Sequence, residues 1–169
     1  MERKIILNGC YGGYEWSRKG AIEVLKRKGF AAGDLRFYED YDVPTTYENF
    51  ISSDEWNWAI ETGEMEDLCG TGEWYPVKYD EYSFARDDDD AISVLEKFGT
   101  GFCSGDCAML YVDSYDDKDG LLIWSIDEYD GLERLEIYPN LTEKRVRQCA
   151  SIDEVVDLLY RARVLRSLG

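Results

Sequence analysis

An α+β fold is predicted: a small mixed or antiparallel sheet with helices packed on it, in a single domain spanning residues 1–169. Three observations predict it. The chain opens with a strand, a glycine-rich turn and a helix. A second capped helix near residue 90 leads into three strand-like runs. An amphipathic helix lies near the end. The length of 169 residues suits one domain, and 44% apolar with 14% aromatic residues suit a packed core rather than disorder.

Ile5-Ile6-Leu7 is a continuous apolar run that stops at Asn8-Gly9, the pattern of a buried strand. Asn8-Gly9-Cys10-Tyr11-Gly12-Gly13 follows as a glycine-rich turn. Ser17 is placed to cap a helix carrying Ala21, Val24 and Leu25, and Gly29 to end it. Arg86-Asp87-Asp88-Asp89-Asp90 supplies a cap and first-turn acids for the next helix. Its apolar face holds Ala91, Ile92, Leu95 and Phe98, and Gly99 closes it. Cys107 to Val112 reads as a strand, Asp116 to Gly120 as a turn and Leu121 to Ile126 as another strand. Tyr129-Asp130-Gly131 is a hairpin turn into a third strand, Leu132 to Tyr138. The expected sheet is the first strand plus this meander. Ser151-Ile152-Asp153-Glu154 fits a capping box before a helix with Ile152, Val155, Val156, Leu159 and Ala162 on one face.

Residues 30–80 fit neither period. They hold 11 of the 24 aromatic residues and 13 acids. The best local pattern is a helix from Asn49 to Thr62 carrying Phe50, Trp56 and Ile60. The segment reads as an insertion that lays aromatics on the domain. The functional alternative is an acidic, aromatic recognition surface with Trp56, Trp58, Trp74 and Tyr75 as partner anchors.

Charge and composition exclude several classes of function. A net charge of −17 repels phosphate backbones and anionic membranes, so neither direct nucleic-acid binding nor membrane binding is expected. A basic protein partner, or a surface that imitates a nucleic acid, fits better; so does an ordinary solvated surface. The ends carry net +4 (residues 1–29) and +2 (134–169), while residues 30–80 carry −11 and 81–133 carry −12, so the ends are expected to pack beside the acidic middle. With no His, Ser–His and Cys–His triads and His-ligated metals are ruled out. The five Cys (Cys10, Cys69, Cys103, Cys107, Cys149) are irregularly spaced, no secretory leader pattern opens the chain, and no apolar run approaches the ~20 residues a membrane span needs. The expected compartment is the cytoplasm, with reduced thiols.

Candidate chemistry is sparse. A strand, glycine turn and helix start can aim backbone N–H groups at an anion, but Gly9 to Gly13 completes neither a P-loop nor a dinucleotide fingerprint, and a tight turn explains the glycines as well. Cys10 lies near the coming helix, where a thiolate could be stabilised; a structural Cys is the plainer reading. Cys103 and Cys107 form a C-x₃-C pair without a matching second pair, and no metal or cofactor is expected. Placing Gly120 at the sixth position of a calcium loop puts Tyr115 first and Ile126 twelfth, which no EF-hand allows. Asp127, Glu128, Asp130 and Glu133 are closely spaced carboxylates that could hold a cation or face solvent. Arg86, nearly alone among acids, either forms an ion pair or meets an anionic ligand.

Four motifs in order resemble the NCYGGF family of uncharacterised phage and large-DNA-virus proteins. They are Asn8-Gly9-Cys10-Tyr11-Gly12-Gly13, Arg86-x-Asp88 with Val94-Leu95-Glu96-x-x-Gly99, Ser104-Gly105-Asp106-Cys107-Ala108-x-Leu110, and Ile126-Asp127-Glu128-Tyr129-Asp130-Gly131-Leu132-Glu133. Tyr14 stands where the family has Phe, and Asp89 where it has Pro. Against the family, residues 30–80 and 134–169 are an insertion and a C-terminal extension. The resemblance implies a viral origin but no catalytic roles, since the family has no established activity. It also implies one locus built from Asn8, Cys10, Tyr11, Gly12 and Gly13 with Arg86, Asp88, Glu128, Tyr129 and Asp130.

The function expected first is that of a viral (phage-type) non-enzymatic binding protein that acts on a host component through its acidic, aromatic surface, with a host protein or a small anionic ligand as the partner. The alternatives are a protein that binds or hydrolyses a small anionic ligand such as a nucleotide at the glycine loop, and a nucleic-acid mimic.

Overall fold

β1 (Glu2–Asn8) buries Ile5, Ile6 and Leu7, as its apolar run requires, and pairs antiparallel with β6 (Leu110–Asp116), from Glu2 opposite Asp116 to Asn8 opposite Leu110. The computed structural model describes residues 1–67, 70–117, 122–139, 149 and 151–161. It shows an α+β architecture in which every paired strand is antiparallel.

The helices start and stop where their caps place them. In α1 (Arg18–Arg27) the Ser17 side chain accepts the Gly20 N–H, and Gly29 follows at φ +100°. That left-handed conformation is one glycine adopts without strain. In α3 (Asp89–Phe98) Asp88 accepts the Asp90 and Ala91 N–H groups, and Gly99 ends the helix at φ +81°. The short α4 (Thr100–Cys103) follows directly. At α5 (Ile152–Arg161) Ser151 Oγ accepts the Glu154 N–H at 3.2 Å.

In residues 30–80 the long helix expected there is replaced by strands, while Phe37, Phe50 and Trp58 of the segment pack into the core. The segment builds a four-stranded sheet, ordered β3-β2-β4-β5, from β2 (Arg36–Glu39), β3 (Val43–Thr45), β4 (Trp58–Glu66) and β5 (Tyr75–Tyr79). The helix expected from Asn49 to Thr62 is only α2 (Tyr47–Ser52); Trp58 and Ile60 belong to β4 and Trp56 to the turn before it. The register of β4 on β5 shifts between Glu61 and Met65, where Gly63 takes φ +81°, as a bulge allows. Two further expectations change. The strand read as Cys107 to Val112 begins at Leu110 and runs through the acids to Asp116. The meander joins β1 only through its first strand: β1 pairs with β6, while β7 (Leu122–Tyr129) and β8 (Leu132–Pro139) form a separate hairpin. Cys69, Lys118-Asp119-Gly120, Leu121 and Ala162 lie outside the described residues.

One core joins these pieces. Ile6, Trp16, Val24, Leu25, Phe50, Ile60 and Leu110 are fully buried in it. An aromatic series knits the four-stranded sheet to the helices: Phe37 meets Phe50 at 4.9 Å, and Phe50 meets Trp58 edge-on at 5.8 Å. Phe84 stacks on Tyr79 at 5.7 Å and meets Trp16 at 5.5 Å. Such pairs add about 0.5–1.5 kcal/mol each beyond their burial. The basic first segment does lie against the acidic middle. Lys4 pairs with Glu96, Arg27 with Asp90 and Lys28 with Asp88.

A buried carboxylate braces the β2–β3 turn. Asp40 and Tyr41 take φ +46° and +61°, which non-glycine residues rarely adopt. Tyr41 Oη donates to Glu81 Oε1 at 2.9 Å, and Lys78 Nζ donates to the Tyr41 carbonyl at 2.9 Å. Glu81 is buried, and its Oε2 has no hydrogen-bond partner among the described residues. Burial pushes its carboxyl above the ordinary 4.5, and Asp80 adds to the push, while the Tyr41 bond and Arg18 oppose it. The folded protein therefore holds this proton more tightly than the unfolded chain does. The resulting stability is complete below the ordinary value and is lost as pH rises through the raised one. Glu81→Gln keeps the acceptor for Tyr41 and is expected to be more stable than the parent near about pH 7 but not near about pH 3.5. Chemical denaturation at both values checks this.

Candidate binding site

The last residue of β1 organises the glycine turn. Asn8 is fully buried, and its side-chain amide donates to the carbonyls of Cys10 (2.9 Å), Gly12 (3.0 Å) and Gly131 (2.8 Å). Its Oδ1 accepts the Met109 N–H at 2.8 Å. The turn thus wraps around an amide, with carbonyls rather than N–H groups facing inward. An anion cradle needs the opposite polarity. Close packing explains the glycines: a Cβ on Gly12 would stand 1.4 Å from the Cys107 carbonyl oxygen, and one on Gly131 would stand 1.7 Å from the Gly12 carbonyl oxygen. Gly13 differs, being exposed with nothing within 4 Å of its absent Cβ.

Arg86 meets this turn from the other side. Its guanidinium makes a two-pronged pair with Glu133, through Nη1 to Oε2 and Nη2 to Oε1 (2.5 Å), lies 3.5 Å from the centre of the Tyr14 ring, and reaches the Ile6 carbonyl at 3.3 Å. Glu133, 3% exposed, also accepts the Asn8 backbone N–H at 2.7 Å. Arg86 is therefore an ion-pair residue first. Burial pushes the Tyr14 hydroxyl up to about 12. That hydroxyl donates to the Phe84 carbonyl at 3.0 Å and accepts from Trp16 Nε1 at 2.9 Å.

The β7–β8 hairpin completes the junction. Asp130 and Gly131, at φ +52° and +84°, make the two-residue turn that its sequence predicts. Glu128 Oε1 accepts the Gly131 N–H at 3.3 Å. A cleft of about 430 Å³ opens beside the junction, lined by Gly13, Tyr14, Tyr82, Phe84, Arg86 and Glu128 among others. Tyr11 and Tyr129 stand exposed beside a second hollow with Asp127 and Arg134. So the structure brings together Asn8, Cys10, Tyr11, Gly12, Gly13, Arg86, Glu128, Tyr129 and Asp130. Asp88 does not join them: it caps α3 and pairs with Lys28 at 2.5 Å. Tyr14 and Tyr82 line the cleft without having been singled out from the sequence. Glu133 was visible only as one carboxylate among several, since its partner Arg86 lies 47 residues away.

The proposed aromatic anchors divide. Trp58 is 3% exposed inside the core, which corrects its assignment as a partner anchor: β4 turns it inward against Phe50. Trp56, 63% exposed, borders a cleft at the start of α1. Trp74 (62% exposed) and Tyr75 lie at the β4–β5 end with exposed Met65, where Met65 pairs with Pro76 and Glu66 with Tyr75. Exposed Glu64, Glu66 and Glu73 frame them. Tyr75 Oη donates to Glu73 Oε2 at 2.9 Å.

Cys10 Sγ donates to the Cys107 carbonyl at 3.0 Å and Asn8 Oδ1 at 3.4 Å, so the thiol belongs to the turn's packing. Cys103 is buried, which pushes its thiol up to about 12. Among the described residues no group of three or more His, Cys, Asp or Glu is placed to hold a metal ion, and no helix is long and apolar enough to cross a membrane. No family model, curated protein or solved structure matches the chain.

Proposed function

We propose that this is a non-enzymatic binding protein that engages a basic protein partner through the acidic, aromatic end of β4 and β5. The viral origin suggested by the glycine-turn and hairpin motifs makes that partner a host protein. One observation carries the reading: Trp74, Tyr75 and Met65 stand exposed among Glu64, Glu66 and Glu73 on a chain of net charge −17. Exposed aromatics of this kind anchor protein interfaces, and the acids select a cationic partner and speed its approach. Arg86, Asn8 and Glu133, the polar groups best suited to chemistry, instead hydrogen-bond one another and the turn.

A small-ligand reading is supported by the 430 Å³ cleft at Gly13, Tyr82 and Arg86. One experiment separates the two. The parent protein and a Trp74→Ala/Tyr75→Ala variant are used to capture proteins from a bacterial lysate, and the parent is screened for thermal shifts with nucleotides, with and without Mg²⁺. The expected result is a basic protein retained by the parent, released by salt and at least about tenfold weaker on the variant, with no nucleotide shift. Equal retention on both proteins, or a nucleotide shift without any retained partner, overturns the proposal.

A further inference from the structure

A cleft of about 620 Å³ among the described residues is lined by Glu2, Arg3 and Lys4 of β1, by Asp87 and Asp89, and by Tyr115 and Trp124 among others. Strand parity sets what this edge offers. Met1 bonds to Asp117 and Gly9 to Met109 on the β6 side, so odd positions face β6 and even positions face away. Ile6 gives its outward N–H to the Arg86 carbonyl and its carbonyl to the Arg86 guanidinium. Asn8 gives its N–H to Glu133. Glu2 and Lys4, the other two outward positions, have no hydrogen-bond partner for N–H or carbonyl among the described residues. The edge is therefore stapled at one end and open at the other, with a cleft beside the open part.

The acids around it are sorted. In the run Asp87-Asp88-Asp89-Asp90, Asp88 pairs with Lys28 and Asp90 with Arg27. Asp87 and Asp89 have no ion-pair partner among the described residues, are exposed, and line the cleft. Of the cations that line the cleft, Lys4 is held by Glu96 at 2.5 Å and the Met1 ammonium by Asp116 at 3.4 Å, which leaves Arg3 against Glu2, Asp87 and Asp89. An open strand edge recruits an extended segment through main-chain hydrogen bonds. Here the unpaired acids favour a cationic one, and a net charge of −17 on each molecule disfavours a second copy. We propose that β1 accepts, at Glu2 and Lys4, an added strand from a basic, extended segment of a partner protein. The inference is independent of the β4–β5 surface.

The probe is a short peptide alternating Lys and Val, with one alternating Glu and Val as control. Amide exchange followed by NMR is expected to slow at Glu2 and Lys4 when the Lys–Val peptide is added, but not with the Glu–Val peptide. Asp87→Asn/Asp89→Asn is expected to weaken binding several-fold. Trp74→Ala/Tyr75→Ala is expected to leave it unchanged, so failure here and failure of the β4–β5 surface read separately. Absence of binding, binding without protection of these two amides, or protection that follows only the protein's own concentration would overturn the proposal.

Discussion

Arg86→Met is expected to cost about 3–5 kcal/mol of stability, because it leaves Glu133 charged, unpaired and only 3% exposed. The pair is the link between three separate parts of the chain. Arg86 takes the Ile6 N–H on its own carbonyl, Glu133 takes the Asn8 N–H, and both lie against Tyr14 and the glycine turn. Removing the cation therefore loosens β1, the turn and the hairpin together. The double variant Arg86→Met/Glu133→Gln restores neutrality and keeps an acceptor for Asn8. It is expected to recover most of the loss, since replacing a whole buried pair is far less costly than breaking it. Urea unfolding of the parent, the single and the double variant measures this. A single-variant loss below about 1 kcal/mol would show that the pair behaves like an exposed one. The same result bears on function, because loss of ligand binding in an Arg86 variant would report the fold before it reported a contact.

What could be read from the sequence follows from where local chemistry decides the backbone. Ser17 and Ser151 cap their helices as their positions predict, Asp88 proves to be the capping residue of the Asp87–Asp90 run, and Asp130-Gly131 makes its turn, because each acts on neighbours a few residues away. The four-stranded sheet was hidden for a physical reason. Trp58 to Thr62 of β4 are buried on both faces, and Gly63 to Glu66 are exposed on both, so no alternation of apolar and polar residues marks the strand. β3 and β5 carry Pro44 and Pro76, which usually argue against strands, and here both lie in outer strands of the sheet. The end of β6 is not legible in sequence because its second half is Asp113 to Asp116, paired with β1 alone among the described residues. At the site, motif order hinted that the glycine turn, Arg86 and the hairpin belong together. The Arg86–Glu133 pairing and the bond from Asn8 to the Gly131 carbonyl of the hairpin span 47 and 123 residues, which no local pattern encodes.

Gly12→Ala is expected to cost about 3 kcal/mol or more, at the top of the range for overpacking, while Gly13→Ala next to it changes stability by less than about 0.5 kcal/mol. Both substitutions add one methyl group to the same turn, so the contrast isolates packing. At Gly12 the methyl carbon would meet backbone, the Cys107 carbonyl oxygen at 1.4 Å, which no rotamer change can move aside. At Gly13 it meets nothing within 4 Å. Gly131→Ala should behave like Gly12→Ala, because its methyl would stand 1.7 Å from the Gly12 carbonyl oxygen and its φ of +84° strains any side chain. Thermal unfolding of the three variants tests the argument. If Gly13→Ala proved as damaging as Gly12→Ala, contact with Cys107 could not be the reason glycine stands in this turn, and a need for bare backbone toward the open cleft would become the better account.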